Sequence, residues 1–286
     1  MKPKLLINAG YPSTGTTSLY YTLWSNKYGH GGHWKENEYL MFIQSPHLFE
    51  TRNKIHKNRK KFGEGVERPW ALPDSIFMNY HTPILPYVVG EFKIEKYIDY
   101  YLGLWEKIRD NYQSMLDFSN AEHPYSKKFM LSIREKLIKN FDIKIVMTLR
   151  DPIHRLWSFS NRRSLTQGGE PQSWMKKYFD DPNMSYTEKY KKYVSVWGED
   201  NVKVIINENF YAGDTQPLSD FLNYNILPTF NQINHLFDIK HKVYNNWSKI
   251  DKETWKDAFE NMSWVYDEFE KTFGYIPDQW GRHSIL

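Results

Sequence analysis

Leu5-Leu6-Ile7-Asn8-Ala9-Gly10-Tyr11-Pro12-Ser13-Thr14-Gly15-Thr16-Thr17-Ser18-Leu19 stands almost at the start of the chain. An apolar run stops at a Gly/Pro/Ser/Thr turn, and apolar residues then resume at helical spacing, Leu19 with Leu23 and Tyr20 with Trp24. The pattern predicts a strand, a tight loop and a helix. Such a loop leaves the first N–H groups of the helix without intrahelical partners and adds the positive end of the helix dipole, so it suits a phosphate. Gly10 and Gly15 let the backbone close around an anion, and the hydroxyls of Ser13, Thr14, Thr16 and Thr17 add donors. The two glycines have the spacing of a Walker A loop, but Thr16 stands where that motif has lysine. That lysine reaches the β- and γ-phosphates of ATP and GTP, so a loop without it suits a shorter phosphate chain. The plain alternative is a Gly/Thr turn with no ligand.

A second stretch has the same organisation. Ile143-Lys144-Ile145-Val146-Met147-Thr148-Leu149 is almost continuously apolar, as a strand covered on both faces should be. Arg150-Asp151-Pro152-Ile153-His154-Arg155-Leu156-Trp157-Ser158 follows, with Pro152 suited to the first turn of a helix. Arg150 falls at the strand's carboxyl end, where open α/β sheets bind ligands. A guanidinium there and the Ser158 hydroxyl two turns on can hold a second, separate phosphate. The alternative is a surface Arg/Asp pair beside an ordinary helix serine.

The other elements fit an α/β chain. Lys127 to Asn140 reads as a helix, and a tyrosine-rich helical stretch precedes it. Tyr87 to Lys93 reads as a short strand ending in charges. Ser185-Tyr186-Thr187-Glu188 is a capping box that opens a helix carrying Tyr186, Tyr190, Tyr193 and Trp197, with Gly198 placed to end it. Val202 to Ile206 is a further strand. The last long helix begins near Asp251 and shows Trp255, Phe259, Met262, Tyr266, Phe269 and Phe273 before Gly274. Strands alternating with helices predict one α/β domain over residues 1–286, a central parallel sheet flanked by helices with a P-loop-type start.

Composition excludes several classes. The 286 residues carry 38 Lys+Arg against 34 Asp+Glu, and a net charge of +4 is too mild to argue for nucleic acid. The absence of cysteine excludes a disulfide scaffold, a thiolate metal site and a cysteine nucleophile. No apolar run approaches the ~18 residues of a membrane span. The first strand begins near Lys4 and leaves no room for a signal peptide, so a soluble, cytoplasmic protein is expected.

The two phosphate stretches together resemble those of the PAPS-dependent sulfotransferases. In that family one strand-loop-helix, similar to Tyr11 through Thr17, holds the 5′-phosphosulfate. A second motif, R-D-P-x-x-R-x-x-S, holds the 3′-phosphate and is complete here from Arg150 to Ser158. Glu36-Asn37-Glu38 followed by Tyr39 to Phe42 looks like the E-N-E-x-x-F-F segment of the heparan-sulfate-type glycan sulfotransferases, which implies Glu38 as catalytic base and a carbohydrate hydroxyl as acceptor. Gly90-Glu91 looks like the family's G-E-K-[ST]-P segment, with Phe92 at its lysine.

The resemblance implies PAPS as co-substrate, PAP as product and no metal. It places Ser13 where the family has Lys or Arg to stabilise the departing phosphate, so another cation must substitute or transfer must be slow. Lys35, Lys93 and the Lys240-His241-Lys242 cluster are the candidates, and Glu36, Lys35 and Lys93 are expected near the acceptor. The basic run from Arg52 to Lys61 would suit an acidic glycan, though a solvated face explains it equally simply. His81 is the rival base. The readings from other classes are a P-loop kinase or nucleotide-binding protein, and a catalytically weak protein that binds PAPS or PAP.

Overall fold

The computed structural model describes residues 2–11, 13–31, 40, 44, 93–118, 125–229 and 250–281, leaving aside the side chains of Thr17, Arg162, Leu165 and Thr166. Their centre is a parallel sheet of five strands, β1 (Lys4–Asn8), β2 (Gly29–His30), β3 (Ser114–Asp117), β4 (Asp142–Leu149) and β5 (Val202–Ile206), in the order β2-β3-β1-β4-β5. β1 lies in the middle, with Leu5 opposite Met115 on one side and opposite Ile143 on the other. β4 pairs in turn with β5, Ile145 opposite Val202.

Along β1 and β4 successive side chains serve opposite faces. Leu6 and Val146 join Leu116 and Ile205 under Leu19 and Leu23 of α1 (Thr16–Ser25). Leu5, Ile7, Ile143, Ile145 and Met147 belong to the larger core on the other face. That core is completed by α2 (Ile94–Ile108), α3 (Lys127–Asn140), α4 (Pro152–Gln167), α5 (Pro171–Lys176), α6 (Tyr186–Trp197) and a long helix near the C-terminus. On the α1 face, the short helices α7 (Asn207–Tyr211) and α8 (Gln216–Leu222) follow β5 and contribute Phe210, Leu218 and Leu222. The long helix, α9 (Lys252–Phe273), buries Trp255, Met262, Tyr266 and Phe269 along the stripe expected for it. Burial on both faces accounts for the nearly unbroken apolar run of β4.

The helix boundaries follow local chemistry. Ser126 caps α3 by accepting from the Phe129 N–H at 3.2 Å, and Asp251 caps α9 by accepting from the Thr254 N–H at 2.8 Å. Gly274 ends α9 in the left-handed conformation. At α6 the capping box forms on one side: Ser185 Oγ accepts from the Glu188 N–H, while the Ser185 N–H goes to the Pro182 carbonyl.

Two elements differ from the sequence expectation. The sequence pattern predicts no strand at β3, between the tyrosine-rich helix and the helix from Lys127, or at β2, just past the first helix. Of the expected strand ending at Lys93, only Lys93 is described, and it is the extended N-cap of α2. No helix among the described residues is long and apolar enough to cross a membrane.

Since β1 leads towards β3 and β2 while β4 leads to β5 on the opposite side, the carboxyl ends of β1 and β4 form a topological switch point. The connection there is close. A Cβ on Gly10 would run into Thr148 Oγ1 of β4, and also crowd Asn8 Oδ1 and Thr14 Oγ1. Gly10→Ala should therefore destabilise the chain by about 1–3 kcal/mol. Thr148→Ala in the same chain should restore part of that loss, as urea unfolding of the single and double variants would show.

Candidate functional site

The loop after β1 is held from three directions. Ala9 donates its N–H to the Val146 carbonyl at 2.7 Å, one step beyond the strand, and Gly10 donates to Asn8 Oδ1 at 3.1 Å. Thr14 Oγ1 donates to the Tyr11 carbonyl at 2.7 Å and lies 2.9 Å from Thr148 Oγ1. The Tyr11 hydroxyl donates to the Ser185 carbonyl at 2.9 Å, joining the loop to the start of α6.

The backbone turns sharply at Ser13, with φ 68°, and at Gly15, with φ 84°. A serine in the left-handed region carries a cost of roughly 1–2 kcal/mol that surrounding contacts must hold in place. At Gly15 a Cβ would also meet the Asn207 side chain, which stands just beyond β5. Gly15 is the N-cap of α1 and has no side chain to cap with, so the helix's first turn faces the loop's interior without a side-chain cap. The first intrahelical bond runs from the Leu19 N–H to the Gly15 carbonyl. A helix start of this kind suits an anion.

Of the donors expected here, Thr14 is fully buried and its hydroxyl is committed to Tyr11 and Thr148. Thr16 is buried at the first position of α1, and Thr17 follows it. Ser18 turns its hydroxyl to Tyr211 at 2.6 Å.

At the end of β4, Asp151 organises the second stretch. It is 0% exposed, so the Arg/Asp surface-pair alternative does not hold. Its Oδ1 accepts from the His154 N–H at 2.9 Å and caps α4, and its Oδ2 accepts from the Tyr266 hydroxyl at 3.1 Å and the Gly281 N–H at 2.7 Å. The Asp151 charge and burial together push the Tyr266 hydroxyl far above the usual tyrosine range, burial being the larger cause.

Arg150 keeps about a third of its side chain exposed, its Nε 4.0 Å from Glu208 Oε1. The same Glu208 accepts from the Asp151 N–H at 3.0 Å and, through Oε2, from Trp280 Nε1 at 3.0 Å. Tyr186 donates to the Arg150 carbonyl at 2.7 Å. Ser158, seven residues past the N-cap of α4, is buried. Arg150 therefore sits at a strand end with its guanidinium partly open.

A third group joins Arg155 of the second motif to a lysine that the sequence did not single out. Arg155 of α4 places its guanidinium carbon 3.9 Å from the centre of the Tyr11 ring and 5.4 Å from that of Tyr186. Lys189 of α6 places its Nζ 3.7 Å from the Tyr11 ring centre and 3.5 Å from the Gly10 carbonyl oxygen. Both are buried, at 8% and 4% exposure, and Arg155 Nη1 has no hydrogen-bond partner. Burial, with Arg155 and then Lys192 adding to it, holds Lys189 well below the usual lysine range. Tyr11 is pushed up to about 12, chiefly by burial and against the pull of Arg155. The signal that reveals Lys189 is positional: it stands three after Tyr186 and four before Tyr193, on the aromatic stripe that α6 turns inward.

Lys93, expected near an acceptor, is the exposed N-cap of α2. Glu36, Glu38, Lys35, His81, the basic run from Arg52 to Lys61, Gly90 to Phe92 and the Lys240-His241-Lys242 cluster lie outside the described residues.

No protein-family model matches the chain, and no curated protein matches it in sequence. Among the solved structures similar to it are three sulfotransferases. One from Alicyclobacillus acidocaldarius is 16% identical over 97% of this chain and 98% of its own, with a TM-score of 0.54. The sulfotransferase domain of the Synechococcus olefin synthase is 16% identical over 96% and 95%, with a TM-score of 0.43. A Mycobacterium avium sulfotransferase is 11% identical over 96% and 78%, with a TM-score of 0.47. The likeness to the first is one of fold, and it spans both chains.

Removing the carboxylate that organises the second stretch should be costly. Asp151→Ala loses the α4 cap, worth about 1 kcal/mol, and leaves the Tyr266 hydroxyl and Gly281 N–H buried without an acceptor, about 1–3 kcal/mol each. An overall loss of roughly 3–5 kcal/mol in denaturant unfolding is expected.

Proposed function

We propose that this chain transfers the sulfuryl group of 3′-phosphoadenosine 5′-phosphosulfate, PAPS, to an acceptor hydroxyl and releases adenosine 3′,5′-bisphosphate, PAP. One observation carries the reading: two loops suited to anions follow the adjacent strands β1 and β4 at the switch point of the sheet. A sulfotransferase fold neighbour that spans the whole length supports it.

The residues fit such a donor. The loop from Ser13 to Thr17 lacks the triphosphate lysine and opens a helix with no side-chain cap, which suits the single 5′-phosphate that carries the sulfate. Arg150, partly open and steadied by Glu208, and Ser158 on α4 suit the 3′-phosphate. An orphaned, buried guanidinium nitrogen on Arg155 beside the loop accords with a site that takes anions.

The donor supplies the activated sulfuryl group, and the chain supplies position and proton transfer. Binding of the two phosphates at separate loops fixes the donor's register and leaves its sulfate end at the acceptor. Glu38 takes the proton of the acceptor hydroxyl as that oxygen bonds to sulfur and the sulfur–oxygen bond to the 5′-phosphate breaks, the electron pair staying with the phosphate. His81 is the rival for this role, and Glu36, Lys35 and Lys93 serve the acceptor side. The acceptor is a carbohydrate hydroxyl, the enzyme is one cytoplasmic domain, and no metal takes part. Ser13 favours a second reading, a donor-binding protein whose transfer is slow.

Thermal unfolding with PAP, with AMP and with ATP plus Mg²⁺ tests the donor site. A ligand at about one hundred times its dissociation constant adds roughly 2.7 kcal/mol, which for a chain this long raises the midpoint by about 5 °C or more. PAP should stabilise most. Greater stabilisation by ATP with Mg²⁺, or no shift with any ligand, would remove the donor reading. Sulfate transfer should fall by about 100-fold or more in Glu38→Gln. A full rate there, with loss in His81→Asn, would transfer the role of base to His81.

A further inference from the structure

Two cations packed on one tyrosine ring are an expensive arrangement unless something pays for it. Arg155 and Lys189 both lie against Tyr11, both are more than nine-tenths buried, and among the described residues neither has a carboxylate within ion-pairing distance. Like charges at close range in a poorly solvated site repel, and a buried unpaired charge is strongly disfavoured. The carbonyl of Gly10 and the faces of Tyr11 and Tyr186 offset only part of this. What would balance the pair is an anion at the loop these two side chains touch.

That loop lacks its own cation, since Ser13 holds the position where the resembling family carries Lys or Arg. We propose that Lys189, seconded by Arg155, is the cation of this phosphate loop, acting through Gly10 and Tyr11 and selecting nucleotides with an anionic group at the 5′ position. The inference rests on the sulfotransferase reading of the loop. Lys189 does not itself touch the transferred group. It sets the electrostatic potential of the loop and acts as a positioning residue.

The surroundings make Lys189 the group that responds to pH. Arg155 faces it from α4 and Lys192 from its own helix. Tyr11 and Tyr193 are both held above the usual tyrosine range by burial, as is Tyr186 beside Arg155. Asp181 acts on Tyr11 but accepts from Asn183, and Asp117 acts on Tyr193 but accepts from the Tyr97 hydroxyl. An anion in the loop favours the protonated lysine, so the free chain has the lower Lys189 pKa and the bound chain the higher. Affinity for a 5′-anionic ligand is thus complete below the free-state value and falls as pH rises from there towards the bound-state value.

The experiment is calorimetric titration of the full chain with adenosine 3′,5′-bisphosphate and adenosine 3′-monophosphate, from about pH 7.5, where both phosphates are already ionised, to about pH 10.5. The wild-type preference for the bisphosphate should fall by about tenfold or more across that range. In Lys189→Met the preference at about pH 7.5 should drop by about tenfold or more with the monophosphate affinity unchanged, Lys189→Arg should keep it, and Ser13→Lys added to Lys189→Met should restore it. A wild-type preference that is flat with pH, or an unchanged preference in Lys189→Met, overturns the proposal. If Lys189→Met does not fold, the wild-type pH series decides alone. A wild-type chain that binds neither nucleotide overturns the donor reading instead.

Discussion

The site depends on the parallel pairing of β1 with β4, Leu5 beside Ile143 through to Asn8 beside Val146. That register brings two loops, 140 residues apart in the sequence when measured from Gly10 to Arg150, to the same edge of the sheet. Their helices then leave on opposite faces, α1 over Leu6 and Val146, α4 over Ile145 and Leu149. A slip of one residue would exchange the faces of every side chain in β1 and bury Asn8 where Ile7 now packs. The Thr14–Thr148 contact and the crowding of Gly10 by Thr148 lock the register from above the sheet.

Charge around this edge is distributed unevenly. Asp151 is wholly buried but has three donors, and Glu208 has two donors with Arg150 nearby. The end of β4 is thus balanced within the chain, its acidic groups holding α4, α9 and the Trp280–Gly281 segment there. Beside the loop after β1, Arg155 and Lys189 meet aromatic faces and a carbonyl, with no carboxylate in ion-pairing distance among the described residues. One half of the switch point is a closed hydrogen-bonded network, and the other sets two buried basic side chains beside a helix start.

How far this could be read from sequence follows from how local each signal is. α3, α6 and α9 announce themselves through caps and apolar spacing within a single turn, and they begin and end where Ser126, Ser185, Asp251, Gly198 and Gly274 place them. β4 is long and apolar enough to stand out. β3 is only Ser114-Met115-Leu116-Asp117, bounded by polar residues, and becomes a strand because β1 offers it an edge 110 positions away from Leu5 to Met115. The placement of Arg150 at the end of β4 and of Ser158 on the helix that follows was legible from their spacing, whereas the Asp151 links to Tyr266 and Gly281 depend on contacts between distant parts of the chain. Lys189 was hidden in a Lys-Tyr-Lys-Lys run that looks solvated. Only its register against Tyr186 and Tyr193 distinguishes it from Lys191 and Lys192.

The central place of β1 has a consequence for biosynthesis. β1 is synthesised before either of the strands it pairs with, and β4 is made more than a hundred residues later. Until β3 is made the apolar Leu5-Leu6-Ile7 segment waits with both of its edges unpaired, and until β4 follows with one, a state open to non-native association and to chaperones. Closing so long a loop also slows folding. Because Trp280 and Gly281 fasten onto Glu208 and Asp151, the region just past β4 and β5 is secured only once those late residues have been made, so a chain cut after α9 would complete the sheet and still lack these two links.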